Sequence, residues 1–266
     1  MDSNEQDKHE ADLDKLLVAE DTVAFIAMME ASEVEGVHEV SVGVTDELYE
    51  IIRNKHARGI RVEVGNKETI INIPISVYFG YDIKKVAQNI QSRVAQAVQD
   101  ATELKVKEIN INVNGIKAID DGMPGTSAEP ALPAHASSSE SATTPATAPP
   151  GSIHITEYVV AWIARTQALE VNGVAGLSSG IAGEIAGLFS RRNAARGVKV
   201  EAGQKEVLID LFLVLQFGCR LPDIAWETQE KVKNSVEKLT GFSVKAVNVT
   251  VQGIDFEKEF EASKKK

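Results

Sequence analysis

Two stretches of the chain alternate apolar and polar positions, turn, and alternate again. From Arg196 to Gly218, Val198, Val200 and Ala202 alternate with Lys199 and Glu201, and Gly203-Gln204-Lys205 turns the chain. Ile209, Leu211, Leu213, Leu215 and Phe217 then hold strict period two up to Gly218. That pattern predicts a β-hairpin with one apolar face. Arg58 to Gly80, earlier in the chain, has the same length, the same turn and the same closing Phe-Gly. The chain therefore carries two copies of one module.

The surrounding pattern repeats as well. In the first copy, Asp21 to Glu33 reads as a helix capped by Asp21 or Thr22, with Val23, Ile26, Ala27 and Glu30 on one side. Val37 to Val44 reads as a strand and Asp46 to Asn54 as a short helix. After the hairpin, Ile83, Val86, Ile90, Val94, Ala97 and Val98 make the stripe of a long helix over Asp82 to Thr102. Lys107 to Ile116 alternates once more. In the second copy, Ile153 to Ile155 opens the module and Thr156 is expected to cap a helix carrying Val159, Trp162, Ile163 and Ala164. Ile224, Val232, Val236 and Leu239 stripe its long helix, Gly241 ends it, and Val247 to Ile254 is the closing strand. A hairpin alternating with helices predicts an α+β fold, a mixed sheet with helices on one face.

Between the copies the composition changes. Six of the eight prolines fall within 121–151, interleaved with Ala, Ser and Thr. Such a stretch cannot bury enough apolar surface to offset its ordering entropy, so it is expected to be a disordered linker. The predicted organisation is an acidic, disordered N-terminus (1–15), a divergent first domain (16–120), the linker (121–151), a second domain (152–256) and a charged tail (257–266). Nothing in the linker suggests coupling, so the domains are expected to fold separately.

The net charge of −11 makes nucleic acid an unexpected partner, because phosphate binding needs a net basic surface. The exception is 152–254, which has one more Lys or Arg than Asp or Glu. No apolar run approaches the ~18 residues of a membrane span, and the acidic N-terminus is unlike a secretory signal. A cytoplasmic protein is expected, without direct membrane insertion. With Cys219 the only cysteine, neither an internal disulfide nor a thiolate metal cluster can form. No base accompanies that thiol, and His38 and His56 lack metal-ligand spacing. Gly180 to Gly187 is glycine-rich but has no GK[ST] ending, so it is no phosphate cradle. No catalytic residue, metal or cofactor is expected, and the chain is read as not an enzyme.

Two surfaces remain as candidates. Period two turns Leu208, Phe212 and Val214 outward, beside Thr250 of the closing strand, and an apolar patch there would mark a contact site unless a loop or the tail with Phe256 and Phe260 covers it. Arg191, Arg192, Arg196 and Lys199 form a basic cluster suited to RNA or another anionic ligand.

The second copy resembles a domain of the bacterial alkaline shock protein family, the envelope stress response proteins of Gram-positive bacteria. The resemblance rests on GVAGLSSGIAGEIAGLFSRRNAARGVKVE, on VLIDLFLVLQFG and on KAVNVTVQGI, in the family's order across 152–254. The first copy keeps RGIRVEVGNKE and ININVNGI, has VTDE in place of the GIAG segment, and carries Pro74, expected to interrupt its hairpin strand. The resemblance implies a non-enzymatic cytoplasmic scaffold or adaptor that self-associates as a homo-oligomer. It also implies a membrane-anchored protein partner that recruits the chain to the membrane periphery. It supplies no catalytic residues.

Overall fold

The computed structural model describes residues 19–40, 59–65, 68–119, 150–178, 196–203 and 205–256. The short helix expected over 46–54, the Gly180–Gly187 segment, most of the linker and the tail beyond 256 lie outside the described residues. The first repeat comprises α1 (Glu20–Ser32), β1 (Val37–Val40), β2 (Arg61–Val64), β3 (Glu68–Tyr78), α2 (Ile83–Thr102) and β4 (Lys105–Lys117). The second comprises β5 (Ile153–Ile155), α3 (Glu157–Leu169), β6 (Val174–Leu177), β7 (Val198–Ala202), β8 (Glu206–Gln216), α4 (Leu221–Thr240) and β9 (Ser243–Asp255).

Each repeat is the mixed α+β sheet that the periodicity predicts. β2 and β3 form the antiparallel hairpin, β1 pairs along the other half of the same β3 edge, and β4 runs parallel to β3 on its far side. β6, β7, β8 and β9 repeat this arrangement, Glu68↔Lys105 corresponding to Glu206↔Ser243. Ile71, Ile73, Ile75 and Val77 of β3, and Ile209, Leu211, Leu213 and Leu215 of β8, are fully buried beneath the helices. The long helices are tied to their closing strands in the same way. Gln91 Nε2 donates to Ile109 O at 2.8 Å, and Gln229 Nε2 donates to Val247 O at 2.8 Å.

Five expectations are corrected. In α1 the buried residues are Val23, Ala24, Ala27 and Ala31, while Ile26 is only half-buried. Small alanines let α1 approach α2 closely, so size rather than hydrophobicity decides its inner face. Glu30 instead pairs with Arg93 at 2.9 Å, and Glu33 with the same guanidinium at 2.8 Å. The N-cap position of α1 is Ala19, so neither Asp21 nor Thr22 is its cap. Thr156 does occupy the N-cap position of α3, but its side chain makes no capping bond and donates to Val113 O at 3.2 Å. Pro74 does not interrupt β3, which runs through it to Tyr78. It sits where β3's edge changes partner from β2 to β1. At the equivalent Phe212 the N–H bonds Gly197 O at 2.9 Å, the one bond a proline forgoes there. Finally, Phe217 does not continue the buried row; it lies past the end of β8 and is 51% exposed.

The copies are also coupled, against expectation. β5 adds to the first repeat's sheet, parallel to β4, with Ile111↔Ile153 and Val113↔Ile155. Ile109 N donates to Pro150 O at 3.2 Å, Ile111 N to Ser152 O at 2.9 Å, and Thr156 N to Val113 O at 3.1 Å. The end of the segment assigned to the linker thus lies along β4. From there α3 returns to pack on α4 and β7, and its Trp162 meets Phe79 edge-on, with ring centroids 5.2 Å apart.

Candidate interaction surface

The face of the second sheet opposite its helices is built by strand alternation. In β8 the buried residues 207, 209, 211, 213 and 215 interleave with half-buried Leu208, Asp210, Phe212, Val214 and Gln216. The cross-strand register places Thr250 beside Phe212 and Gly253 beside Val214 on β9, and Gly176 beside Val214 on β6. Two glycines flanking Val214 leave its side chain standing above the sheet. Asn248 Nδ2 donates to Asp210 Oδ1 at 2.8 Å, so the polar neighbours of the patch satisfy each other. Leu208, Phe212, Val214 and Thr250 therefore share one face, as their spacing predicts. Phe256 does not cover them: its ring packs against Phe217, 4.9 Å away. Phe260 lies outside the described residues.

The first sheet presents a different outer face. Asn72 and Asn110 hydrogen-bond at 3.2 Å, Pro74 takes the place of Phe212, and Ser76 that of Val214. His38 stacks obliquely on Tyr78 at 5.0 Å, with its Nδ1 buried and without a hydrogen-bond partner. Polar pairs and a proline make this a less adhesive surface than its counterpart.

The basic cluster is only partly brought together. Arg191 and Arg192 lie outside the described residues. Arg196 is exposed, and its carbonyl accepts from Arg165 Nη1 at 2.8 Å. Lys199 lies on β7, salt-bridged to Glu201 at 2.7 Å. The hydrogen bond and charge of Glu201, with a smaller contribution from Asp210, raise its pKa. Lys199 is thus an exposed, ion-paired cation of the sheet face.

The remaining chemistry is sparse among the described residues. Cys219 sits against Gly173, where an added Cβ would lie 3.1 Å from its Sγ. His154 is exposed on β5, which belongs to the first repeat's sheet. No group of three or more His, Cys, Asp or Glu that could hold a metal ion is gathered among the described residues. A shallow depression lined by Val34, Glu35, Asn89, Ser92 and Arg93 has its cation engaged. Arg93 is held charged, its pKa raised by hydrogen bonds to Glu30 and Glu33. No described helix is long and apolar enough to cross a membrane.

The sequence profile of the alkaline shock protein 23 family, described as having a cell envelope-related function, matches residues 8–118 and 146–256. The chain belongs to this family. Both repeats are matched, including the divergent first one. This agrees with the alkaline shock resemblance read from the second copy. Among curated relatives, an uncharacterized protein of Bacillus subtilis, YqhY, is 31% identical over 107 residues, covering 40% of this chain and 79% of its own length. A second from the same organism, YloU, is 30% identical over 106 residues, covering 39% of this chain and 88% of its own. A stress response regulator gls24 homolog of Streptococcus pyogenes is 29% identical over 115 residues, covering 43% and 64%. Each alignment spans about one repeat, so the tandem arrangement of this alkaline shock family chain is a property that those matches do not cover. No solved structure matches it.

Sequence reasoning missed several exposed apolar side chains: Phe25, Met29, Phe217, Leu221 and Phe256. The comparison of the two copies points the other way for Leu221, which stands where buried Ile83 does in the first copy.

Proposed function

We propose that this alkaline shock family chain is a non-enzymatic scaffold or adaptor in the cell-envelope stress response, acting through protein–protein contacts and self-association. The observation that carries the reading is the outer face of the second sheet, where Phe212 and Val214 are offered side by side with α3 and α4 on the opposite face. A partner would bury what remains exposed of both, contributing on the order of 1–2 kcal/mol before the costs of association, since each is already half-buried. That biases capture of a protein already concentrated at the envelope, with the rest of the face adding to it. The envelope-related description of the family and the stress-regulator name of the streptococcal relatives support this setting. Of the basic cluster only Arg196 and Lys199 lie among the described residues, and Lys199 is ion-paired with Glu201.

The test is complementation. In cells deleted for the protein and exposed to envelope stress, the Phe212→Ser, Val214→Ser double variant should accumulate to the wild-type level, keep a native circular dichroism spectrum when purified, and fail to restore survival. Full restoration by that variant would remove the outer face from the mechanism.

A further inference from the structure

The two repeats are alike in sequence and topology but unlike in cover. In the first, Ile83 is 1% and Val113 0% exposed, and Phe79 is packed against the core. Their counterparts in the second, Leu221, Val251 and Phe217, are 40%, 36% and 51% exposed, and Phe256 beside Phe217 is 44% exposed. The difference has a visible origin. The first repeat receives β5 on the edge of β4 and Trp162 of α3 on Phe79. Among the described residues β9, the counterpart of β4, pairs only with β8.

The element that would supply the equivalent cover is α1. The counterpart of Trp162 is Phe25, since each stands at the same spacing before the glycine that follows its helix, Gly173 and Gly36. Phe25 is 49% exposed and Met29, one turn further along the same face, is 46% exposed. Leu16, Leu17 and Val18 precede α1 in the sequence as Ile153, His154 and Ile155 precede α3. One chain thus shows an uncovered donor, Phe25 with Met29, and an uncovered acceptor, Phe217 with Leu221, Val251 and Phe256. Both are described, yet Phe25 does not pack on Phe217 within the chain.

We infer that a second copy of this chain docks α1 on the Phe217–Leu221–Val251 patch at the free edge of β9, and receives the same contact in return. The join between repeats is the template: Trp162 on Phe79 becomes Phe25 of one copy on Phe217 of the other. Donor and acceptor lie on the same chain, so two copies related by a two-fold axis satisfy both at once and leave no adhesive end, whereas the same contact without that axis would propagate as an open filament. Exposed apolar side chains gathered at one place, as Phe217 and Phe256 are, mark protein contacts on soluble domains. This surface is separate from the Phe212 face; it deepens the self-association in the proposed function and leaves partner capture to that face.

Disulfide trapping and sedimentation test the dimer on the full chain. With Cys219→Ser as background, a Phe25→Cys chain is mixed with a Phe217→Cys chain and oxidised mildly. A mixed disulfide at twice the 28.7 kDa chain mass is expected, far exceeding the product of either variant with itself. By analytical ultracentrifugation the wild type should sediment as a dimer at micromolar concentration. Phe25→Ser and Leu221→Ser should each weaken dimerisation at least tenfold, while Phe212→Ser, Val214→Ser leaves it unchanged. A monomeric wild type with no mixed disulfide overturns the inference. So does an intrachain disulfide in a monomeric Phe25→Cys, Phe217→Cys double variant. A dimer lost on changing Phe212 and Val214 but indifferent to Phe25 and Leu221 overturns it too, and assigns self-association to the outer sheet face.

Discussion

Leu211→Ala is expected to destabilise the second repeat by about 4 kcal/mol, near the top of the range for deleting a buried leucine. Leu211 is fully buried in the central strand β8, hydrogen-bonded on both sides: it faces Val198 of β7 and Val249 of β9. A strand held at both edges cannot sink to fill the void, so most of the cavity should persist. Against a typical domain stability of roughly 5–15 kcal/mol, that loss leaves the repeat marginal. Urea unfolding followed by circular dichroism should show a lower midpoint with an unchanged slope. Phe212→Ala, the next residue but on the other face, should cost less than about 1.5 kcal/mol, since a half-buried side chain forfeits only part of its transfer free energy. Equal costs at the two positions would mean that the faces of β8 have been assigned wrongly.

The second large effect is expected at Gly151. A Cβ there would collide with the carbonyl and the backbone of Ile109, atoms that no rotamer change can move. Gly151→Val should therefore push β5 off β4. The cost has a ceiling, because the strand can release instead of straining the sheet. The backbone bonds from Ile109, Ile111 and Thr156 contribute roughly 3 kcal/mol at about 1 kcal/mol each, and Ile155, now 4% exposed, loses its burial. Hydrogen exchange should report the change directly: the Ile111 and Thr156 amides should lose protection by about two orders of magnitude. The amides of β8, which belong to the other sheet, should stay protected. Unaltered exchange at Ile111 would contradict the pairing of β5 with the first repeat.

Much of this fold was legible because its signals are local. Period two in Val207–Leu215 and the stripe from Ile83 to Val98 each specify an element and its inward face without reference to anything distant. The outer set Leu208, Phe212, Val214 and Thr250 followed from the same alternation. What escaped was decided by partners far along the chain. Nothing near Ile153–Ile155 says whether that strand will join its own sheet or its neighbour's, since a three-residue edge strand fits either. Thr156 has a cap's identity and position, but its hydroxyl is taken by Val113 O, a residue of the other repeat. In α1, Ile26 outranks Ala24 and Ala31 in hydrophobicity, yet it is the alanines that are buried there, together with Val23. Phe217 ended an unbroken period-two row, and only the end of β8 at Gln216 explains its exposure.

Those distant partners also separate the two surfaces on the second repeat. The Phe212 face is a sheet surface offered to a partner, whereas the Phe217–Leu221 patch repeats a contact already made once within the chain. Both are proposed to act by burial of apolar side chains. Scaffolding through the Phe212 face is best tested by photo-cross-linking in living cells. A photoreactive phenylalanine analogue placed at position 212, at native expression level under envelope stress, should yield a defined set of cross-linked proteins. The same analogue at exposed position 199, across the face, should yield less of each, and at buried position 211 none. Cross-links from position 212 no stronger than those from position 211, or no cross-links to protein at all, would contradict a scaffold that works through this face.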